Sequence, residues 1–202
     1  MPEFKIPRRQ LLHGFAAGSA ALLLRRPSSA QQPPAPIKAT KLSDGITLVT
    51  GDGGNIAVVT AADGLLMIDA GLPDRAADLV KAVAGISSLP VRTLFNTHWH
   101  VDHVGANVTL GKGGTHIIAH ENVRTRLSVK TTMESMNRTF DPLDPAGLPM
   151  MTFTGAGKLY HGKEIIQYAH IPLAHTDGDA YAFSRASTYC TPAICSSMAF
   201  IP

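Results

Sequence analysis

The stretch "NTHWHVDHVGAN", residues 96–107, holds three histidines and an aspartate within six positions. His98 and His100 are two residues apart, so in an extended segment their side chains lie on the same side. Asp102 continues this alternation, and His103 turns toward a neighbouring position if the chain begins to coil. Imidazoles and carboxylates bind zinc, and a catalytic zinc site keeps one position for water. The stretch therefore predicts a site for one or two metal ions rather than a polar loop with incidental histidines.

The sequence around this stretch predicts alternating strands and helices. An apolar run directly before the histidines is typical of a buried strand, and "GDGGN" between two β-branched runs is typical of a hairpin turn. The predicted strands are 46–50, 56–60, 65–69, 91–95, 117–119 and 165–170, and the predicted helices are 73–85 and 121–130. Residues 140–149 read as a loop. Two hairpins followed by alternating elements indicate an α/β fold, a mixed sheet with helices packed on a face.

Three motifs together resemble the metallo-β-lactamase superfamily. "THWHVDH", 97–103, resembles its T-H-x-H-x-D-H motif, "MIDAG", 67–71, its D-[TS]-G strand end, and "AHTDGD", 174–179, its H-T-x-G-[HD] motif. The resemblance covers residues 43–186. It implies a four-layer αβ/βα sandwich with a dinuclear metal cleft, of which this chain would hold the N-terminal portion and lack most of the C-terminal half.

The resemblance implies a role for each residue of the motifs. His98, His100 and His175 would bind the first metal ion. Asp102 and His103 would belong to the second. Asp102 is also the implied catalytic residue, because its carboxylate can orient a water molecule or relay a proton. The aspartate of "MIDAG" would act behind the ligands and orient the histidines by hydrogen bonds.

The implied activity is hydrolysis by a metal-bound hydroxide that attacks a carbonyl group. Zinc lowers the pKa of bound water from about 15.7 to about 7, which supplies a nucleophile at neutral pH. A small-molecule substrate is expected, and β-lactam, lactone and thioester all remain open. A full-length relative would bind two Zn2+ ions, and we expect one at most in this chain. Two alternatives stay open: an iron-dependent oxidoreductase that resembles sulfur dioxygenases on the same fold, and a catalytically dead fragment.

The last residues depart from the family pattern. Residues 187–202, "STYCTPAICSSMAFIP", contain neither aspartate nor histidine, although the family places a bridging aspartate and a further histidine after the H-T-x-G-[HD] motif. When Thr188 to Phe200 are reverse-translated and read from the third base of each codon, the shifted frame permits a His-Thr-Gly-Asp stretch. We therefore expect a frameshift near Ala186–Ser187, which makes 187–202 an out-of-frame tail.

The first residues are typical of an export signal. Arg8-Arg9 precede a mildly apolar run, 11–24, which is too short to span a bilayer, and small residues follow at 28–30. This pattern resembles a twin-arginine signal peptide over residues 1–30. A Pro-rich linker, 31–42, would connect it to the metallo-β-lactamase domain, 43–186. We expect passage through the twin-arginine export machinery, a periplasmic location and no membrane anchor in the mature form.

The charge balance argues against polyanionic partners. The whole chain carries a formal charge of +3, but the signal contains five of the 18 basic and one of the 15 acidic residues. The mature chain therefore carries 13 − 14 = −1. No basic patch for nucleic acid is expected. The only two cysteines, Cys190 and Cys195, do not indicate a disulfide framework.

Polar residues outside the motif positions have less specific interpretations. Trp99 is expected to pack or to line the mouth of the cleft, because its side chain points away from those of the neighbouring histidines. Asp177 and Asp179 are expected to be loop residues, since Gly178 between them indicates a turn. Structural or surface roles are expected for His116, His120, His161 and His170.

Overall fold

The structure is a computed structural model, and it describes residues 35–133, 137–172 and 174–184. The predicted signal peptide, residues 31–34 of the predicted linker and the predicted tail lie outside these residues. The strands are β1 (Lys38–Lys41), β2 (Ile46–Asp52), β3 (Gly54–Ala61), β4 (Gly64–Ile68), β5 (Val91–Phe95), β6 (His116–His120), β7 (Thr131–Met133), β8 (Arg138–Phe140), β9 (Met151–Phe153), β10 (Ala156–His161), β11 (Glu164–His170) and β12 (Ala180–Ser184). The helices are α1 (Ala76–Ile86), α2 (Val101–Val104), α3 (Asn107–Lys112) and α4 (Glu121–Ser128).

The strands form two larger sheets and one short hairpin. The main sheet has the order β1-β2-β3-β4-β5-β6-β9. Its first four strands pair antiparallel, and β4, β5, β6 and β9 pair parallel. The second sheet is antiparallel in the order β10-β11-β12, and β7 pairs with β8. The predicted mixed α/β fold is confirmed.

The main sheet is apolar on both faces because it lies between two hydrophobic cores. All five residues of β4 are buried, and successive side chains of a strand point to opposite faces. Leu65 and Met67 join the core beneath α1. Leu66 and Ile68 join the core that includes Ile166 of the second sheet. The continuous apolar run that predicted a buried strand is explained by these two layers of cover.

Helix α1 covers the first core with one apolar stripe. Ala76, Leu79 and Val83 are buried on the same side, at the spacing of an amphipathic helix. Val80 is 37% exposed and lies at the margin of this face. No helix in the described part of the chain has the length and apolar character that a membrane span requires.

The carboxyl end of the parallel strands is where the polar motifs meet. Asp69 follows β4, and residues 96–98 follow the neighbouring strand β5. The loop between β11 and β12, residues 171–179, reaches the same edge of the main sheet. The backbone N–H of Ala180, at the start of β12, donates to the carbonyl of Thr97 over 2.9 Å. Sheet topology thus places the motifs at 67–71, 97–103 and 174–179 side by side.

Candidate metal centre

Three predicted histidines converge at the edge of the main sheet. His98 follows β5 and is buried, His100 precedes α2 and is half-buried, and His175 is exposed on the loop 171–179. One potential ligand atom from each lies within 4.8 Å of the other two. Nδ1 of His100 and Nε2 of His175 are 2.8 Å apart. The three imidazoles can therefore hold a metal ion between them.

Asp69 is a buried carboxylate that connects the histidine segment to β4. It has a positive φ of 65° and accepts from both the backbone N–H and the hydroxyl of Thr97, each over 2.7 Å. Its Oδ2 also lies 2.7 Å from Nδ1 of His103. Because carboxylates only accept, Nδ1 of His103 carries the proton. Asp69 thus orients the histidine segment by hydrogen bonds, as the resemblance implied.

The same network determines which nitrogen of His98 is free. The Thr97 hydroxyl donates its hydrogen to Asp69, so it must accept from Nδ1 of His98, 3.1 Å away. Nε2 of His98 then keeps its lone pair. A neutral imidazole with a fixed tautomer is the form that binds metal ions.

Electrostatics keep the first two histidines neutral. Burial, reinforced by the neighbouring His103, lowers the pKa of His98 to about 2. Burial and the nearby His175 lower the pKa of His100 to about 4. Both rings are therefore unprotonated at neutral pH and available as ligands, so the donor set fits a metal such as zinc.

Asp102 and His103 form a second polar pair beside these histidines. Nε2 of His103 lies 3.4 Å from Oδ2 of Asp102. The hydrogen bond to His103 lowers the pKa of Asp102 to about 2. Burial alone would lower the pKa of His103, but the carboxylates of Asp69 and Asp102 outweigh it and raise this pKa to about 10. In the metal-free protein His103 is consequently an imidazolium held between two carboxylates.

The five predicted site residues line one cleft of about 350 Å3, together with Gly53 and Gly54 of the β2–β3 turn. A Cβ atom at Gly53, where φ is +98°, would lie 3.1 Å from Cβ of Asp102. A Cβ atom at Gly54 would lie 2.9 Å from Cε1 of His103. We interpreted "GDGGN" only as a hairpin turn. Its consecutive glycines are the signal that the turn approaches another part of the molecule closely.

Two asparagines fix the ends of the histidine segment, and sequence reasoning missed them. Asn96 and Asn107 are both fully buried, and each side-chain amide donates to the other, over 3.1 and 2.9 Å. Asn96 also donates to the carbonyl of His103, and Asn107 to the carbonyl of Gly147. The pair joins the two ends of residues 96–107, and Asn96 holds the backbone between them at His103.

Packing, and not backbone conformation, requires glycine at Gly105. Its φ of −59° and ψ of −40° are ordinary helical values. A Cβ atom here would collide with the backbone of Gly71 and Leu72. The N–H of Gly105 donates to the carbonyl of Gly71 over 2.7 Å. Close approach of two backbone segments, rather than a special dihedral, requires glycine at this position.

Four further histidines lie outside the group of three converging histidines. His116 is exposed, and His161 is 7% exposed at the end of β10. His120 stacks on His170 with ring centroids 3.8 Å apart. Trp99 packs beside Val104 and Leu127, and its ring meets that of His100 edge to face.

Comparisons with known proteins agree with this geometry. The profile of the metallo-beta-lactamase superfamily matches residues 49–181. Similar solved structures include BJP-1, a subclass B3 metallo-beta-lactamase of Bradyrhizobium japonicum, with 21% identity over 76% of this chain and a TM-score of 0.64. They also include the metallo-beta-lactamase MIM-1 from Novosphingobium pentaromativorans, with 24% identity over 74% of this chain and a TM-score of 0.62. A third is LRA-12, a class B3 di-zinc metallo-beta-lactamase from an Alaskan soil metagenome, with 16% identity over 80% of this chain and a TM-score of 0.63. A search of curated proteins found no significant match.

The chain spans 59% of BJP-1, 56% of MIM-1 and 62% of LRA-12. At these identities the solved structures show a shared fold. The family profile is stronger evidence, because its match extends over most of the chain and includes all three motifs. On its sequence profile and its fold, this chain belongs to the metallo-beta-lactamase superfamily.

Proposed function

We propose that this protein is a zinc-dependent hydrolase that cleaves a bond next to a carbonyl group in a small molecule. The observation that carries the proposal is the convergence of His98, His100 and His175 within 4.8 Å. Asp102 and His103 lie beside them in the same cleft. In a structural zinc site, protein ligands fill all four coordination positions. Three histidines leave the fourth position open for water or substrate.

Nε2 of His98, Nδ1 of His100 and Nε2 of His175 would hold the first zinc ion. A bound zinc ion would lower the pKa of a coordinated water molecule and polarise a carbonyl group. Asp102 is ionised at neutral pH and partly exposed in the cleft, so its carboxylate can orient a water molecule and accept its proton. Asp102 and His103 are also the residues that would contribute to a second metal site.

Zinc is the metal that we propose because the donors are neutral nitrogens and one carboxylate. Imidazole suits zinc and iron, whereas magnesium and calcium prefer oxygen ligands. Metal analysis of purified protein distinguishes zinc from iron. Zinc together with hydrolysis supports the proposal, and iron together with persulfide-dependent oxygen uptake would replace it with an oxidoreductase.

A β-lactam is the first substrate to test, because the similar solved structures are described as B3 metallo-beta-lactamases. A lactone and a glutathione thioester are the two alternatives. The assay measures hydrolysis of nitrocefin, a lactone and the thioester by the zinc-loaded protein, with His98→Ala as the inactive control. Turnover of one substrate that is lost in His98→Ala supports the proposal. Turnover that survives in His98→Ala would contradict it.

We also propose that the protein is exported through the twin-arginine route. Residues 1–30 support this by their paired arginines, short apolar run and small residues. Replacing Arg8 and Arg9 by lysine should keep the protein in the cytoplasm, and N-terminal sequencing of the exported form should begin near Gln31. Unchanged periplasmic recovery of the double variant would reject this route.

The composition of residues 187–202 supports a further proposal, that they are read out of frame. Resequencing the coding DNA across this region tests it. A frame that encodes the His-Thr-Gly-Asp stretch after Ala186 is the expected result, and confirmation of the present frame would contradict the proposal.

A further inference from the structure

His175 differs from the other converging histidines in how it is held. His98 is buried among the residues that follow β5, whereas His175 is exposed and lies on the loop 171–179. Its ring contacts the rings of His98 and His100. These contacts do not fix the backbone that carries it, so the position of His175 depends on how its loop is anchored.

The loop is anchored to helix α4 through Asp177, two residues after His175. The Arg126 guanidinium donates to Oδ2 of Asp177 from Nε and Nη2, over 3.0 and 2.8 Å. Asn122 donates from its side-chain amide to the backbone carbonyl of Asp177 over 2.6 Å. Nε2 of His170 lies 3.2 Å from the same carbonyl, which can only accept. Asp177 is thus held through both its side chain and its backbone.

Residues 176–179 form a compact turn that connects this anchor to His175. The carboxylate of Asp179 is buried and accepts from the backbone N–H and the hydroxyl of Thr176, each over 2.7 Å. The N–H of Gly178 donates to the same hydroxyl. A Cβ atom at Gly178 would lie 2.9 Å from Cγ2 of Val123, so the turn packs directly on α4.

The base of the loop is attached to the same helix. His120, which precedes α4, accepts from the N–H of Asn122 and stacks on His170 at the end of β11. The start of α4 therefore holds the loop at His170 and again at Asp177, on either side of His175. The residues of α4 that make the second attachment, Asn122 and Arg126, lie outside the ligand motifs.

We propose that Arg126 and Asn122 are positioning residues, which hold Asp177 so that His175 stays within ligand distance of His98 and His100. The inference rests on the proposed metal site and deepens it. Neither residue touches the metal or the substrate; each acts through the turn at 176–179. The side chains of Arg126 and Asp177 are 47% and 40% exposed, so their ion pair adds little to global stability. Its effect is expected in the free energy of opening this loop.

The test is a charge swap, with Co2+ as the metal probe. Arg126→Asp and Asp177→Arg should each weaken Co2+ binding about twofold to fivefold, the range that corresponds to about 0.4 to 1 kcal/mol. The double variant R126D/D177R restores opposite charges and should recover most of the loss. Lys112→Glu is the matched control, because Lys112 forms an exposed ion pair with Asp144 over 2.8 Å and neither residue belongs to α4 or to the loop. It should leave Co2+ affinity unchanged.

A second measurement does not depend on the metal. In the metal-free protein, Asn122→Ala should speed hydrogen exchange at the amides of Thr176 and Gly178, whereas amides in the centre of β4 should be unaffected. If the protein binds no Co2+ while this exchange behaves as expected, the metal assignment fails and the anchor stands. No recovery of Co2+ affinity in the swap variant, or unchanged exchange in Asn122→Ala, would overturn the positioning role.

Discussion

Nδ1 of His103 lies 2.7 Å from Oδ2 of Asp69, a residue 34 positions earlier in the chain. Asp69 also accepts the N–H and hydroxyl hydrogens of Thr97, and it is fully buried. One carboxylate thus orients the ring of His103 directly and fixes the tautomer of His98 through Thr97. Metal binding depends on how the imidazole rings are oriented, so we expect the site to be most sensitive to a substitution of Asp69.

Replacing Asp69 by asparagine should therefore damage both stability and metal binding. An amide offers one acceptor oxygen and places two donor hydrogens near groups that also donate. We expect the free energy of unfolding of the metal-free protein to fall by about 2–3 kcal/mol and metal affinity to fall by about 10–100-fold. Urea unfolding and zinc titration measure the two effects. Asp144→Asn is the control, since asparagine caps a helical turn about as well as aspartate; equal effects of both variants would contradict this role of Asp69.

The glycine turn above the site gives a second prediction. Gly54→Ala places a methyl group 2.9 Å from Cε1 of His103, and the ring cannot retreat freely because Asp69 holds its other side. We expect hydrolysis to fall at least tenfold while the thermal unfolding midpoint changes little. Gly85→Ala in α1 is the matched control, because nothing lies within 4 Å of the added methyl group. It should keep full activity and gain about 0.5–1 kcal/mol of stability. Wild-type activity in Gly54→Ala would show that the turn does not constrain His103.

The asparagine pair gives a third prediction. Asn96→Ala and Asn107→Ala each leave buried polar partners unsatisfied, and we expect a loss of about 1–3 kcal/mol from either change. Because the two amides bond to each other, the double variant should lose less than the sum of the single variants. Urea unfolding of all four proteins measures this coupling. Strict additivity would mean that the mutual hydrogen bonds contribute nothing.

The stability of the metal-free protein should depend on pH in two opposite ways. His98 and His100 have pKa values lowered to about 2 and about 4, so between pH 4 and 6.5 the unfolded state binds more protons and stability rises with pH. His103 has a pKa raised to about 10, so its contribution is fully present below pH 6.5 and is lost as pH rises toward 10.

The unfolding midpoint in urea with chelator should accordingly be highest near pH 6.5. It should be lower at pH 4.5 and at pH 8.5, and His103→Gln should flatten the alkaline side. A midpoint that keeps rising from pH 6.5 to 8.5 would show that His103 is not held as an imidazolium.

The strands and helices that were predicted have apolar residues at a regular spacing or turn residues at their ends. The continuous apolar run at β4 and the stripe along α1 follow from burial between two cores. The helix predicted at 121–130 ends at Ser128. Strands β1, β7, β8, β9, β10 and β12 were not predicted, and β1 lies within the predicted Pro-rich linker. Gly157 and the small residues of β12 weaken the β pattern of β10 and β12.

The ligand motifs were predictable because metal chemistry restricts the residue types and their spacing. Their supports were not, since they join residues far apart in sequence. Arg126 meets Asp177 across 51 positions, and Asn107 meets Gly147 across 40. A surface arginine and a loop aspartate carry no local signal of their partner, which only the packing of α4 against the loop decides.

Zinc content is the most direct test of the central claim, that three histidines from two loops hold a catalytic metal ion. The measurement is zinc bound per chain after dialysis, for the unaltered protein, His98→Ala, His100→Ala, His175→Ala and the control His161→Ala. His161, 7% exposed, is nearly as well buried as His98, 4% exposed, but lies outside the cluster. We predict one tightly bound zinc ion in the unaltered protein and in His161→Ala, and its loss in each of the other three variants. Zinc retained by His98→Ala, or lost equally from His161→Ala, would contradict the account.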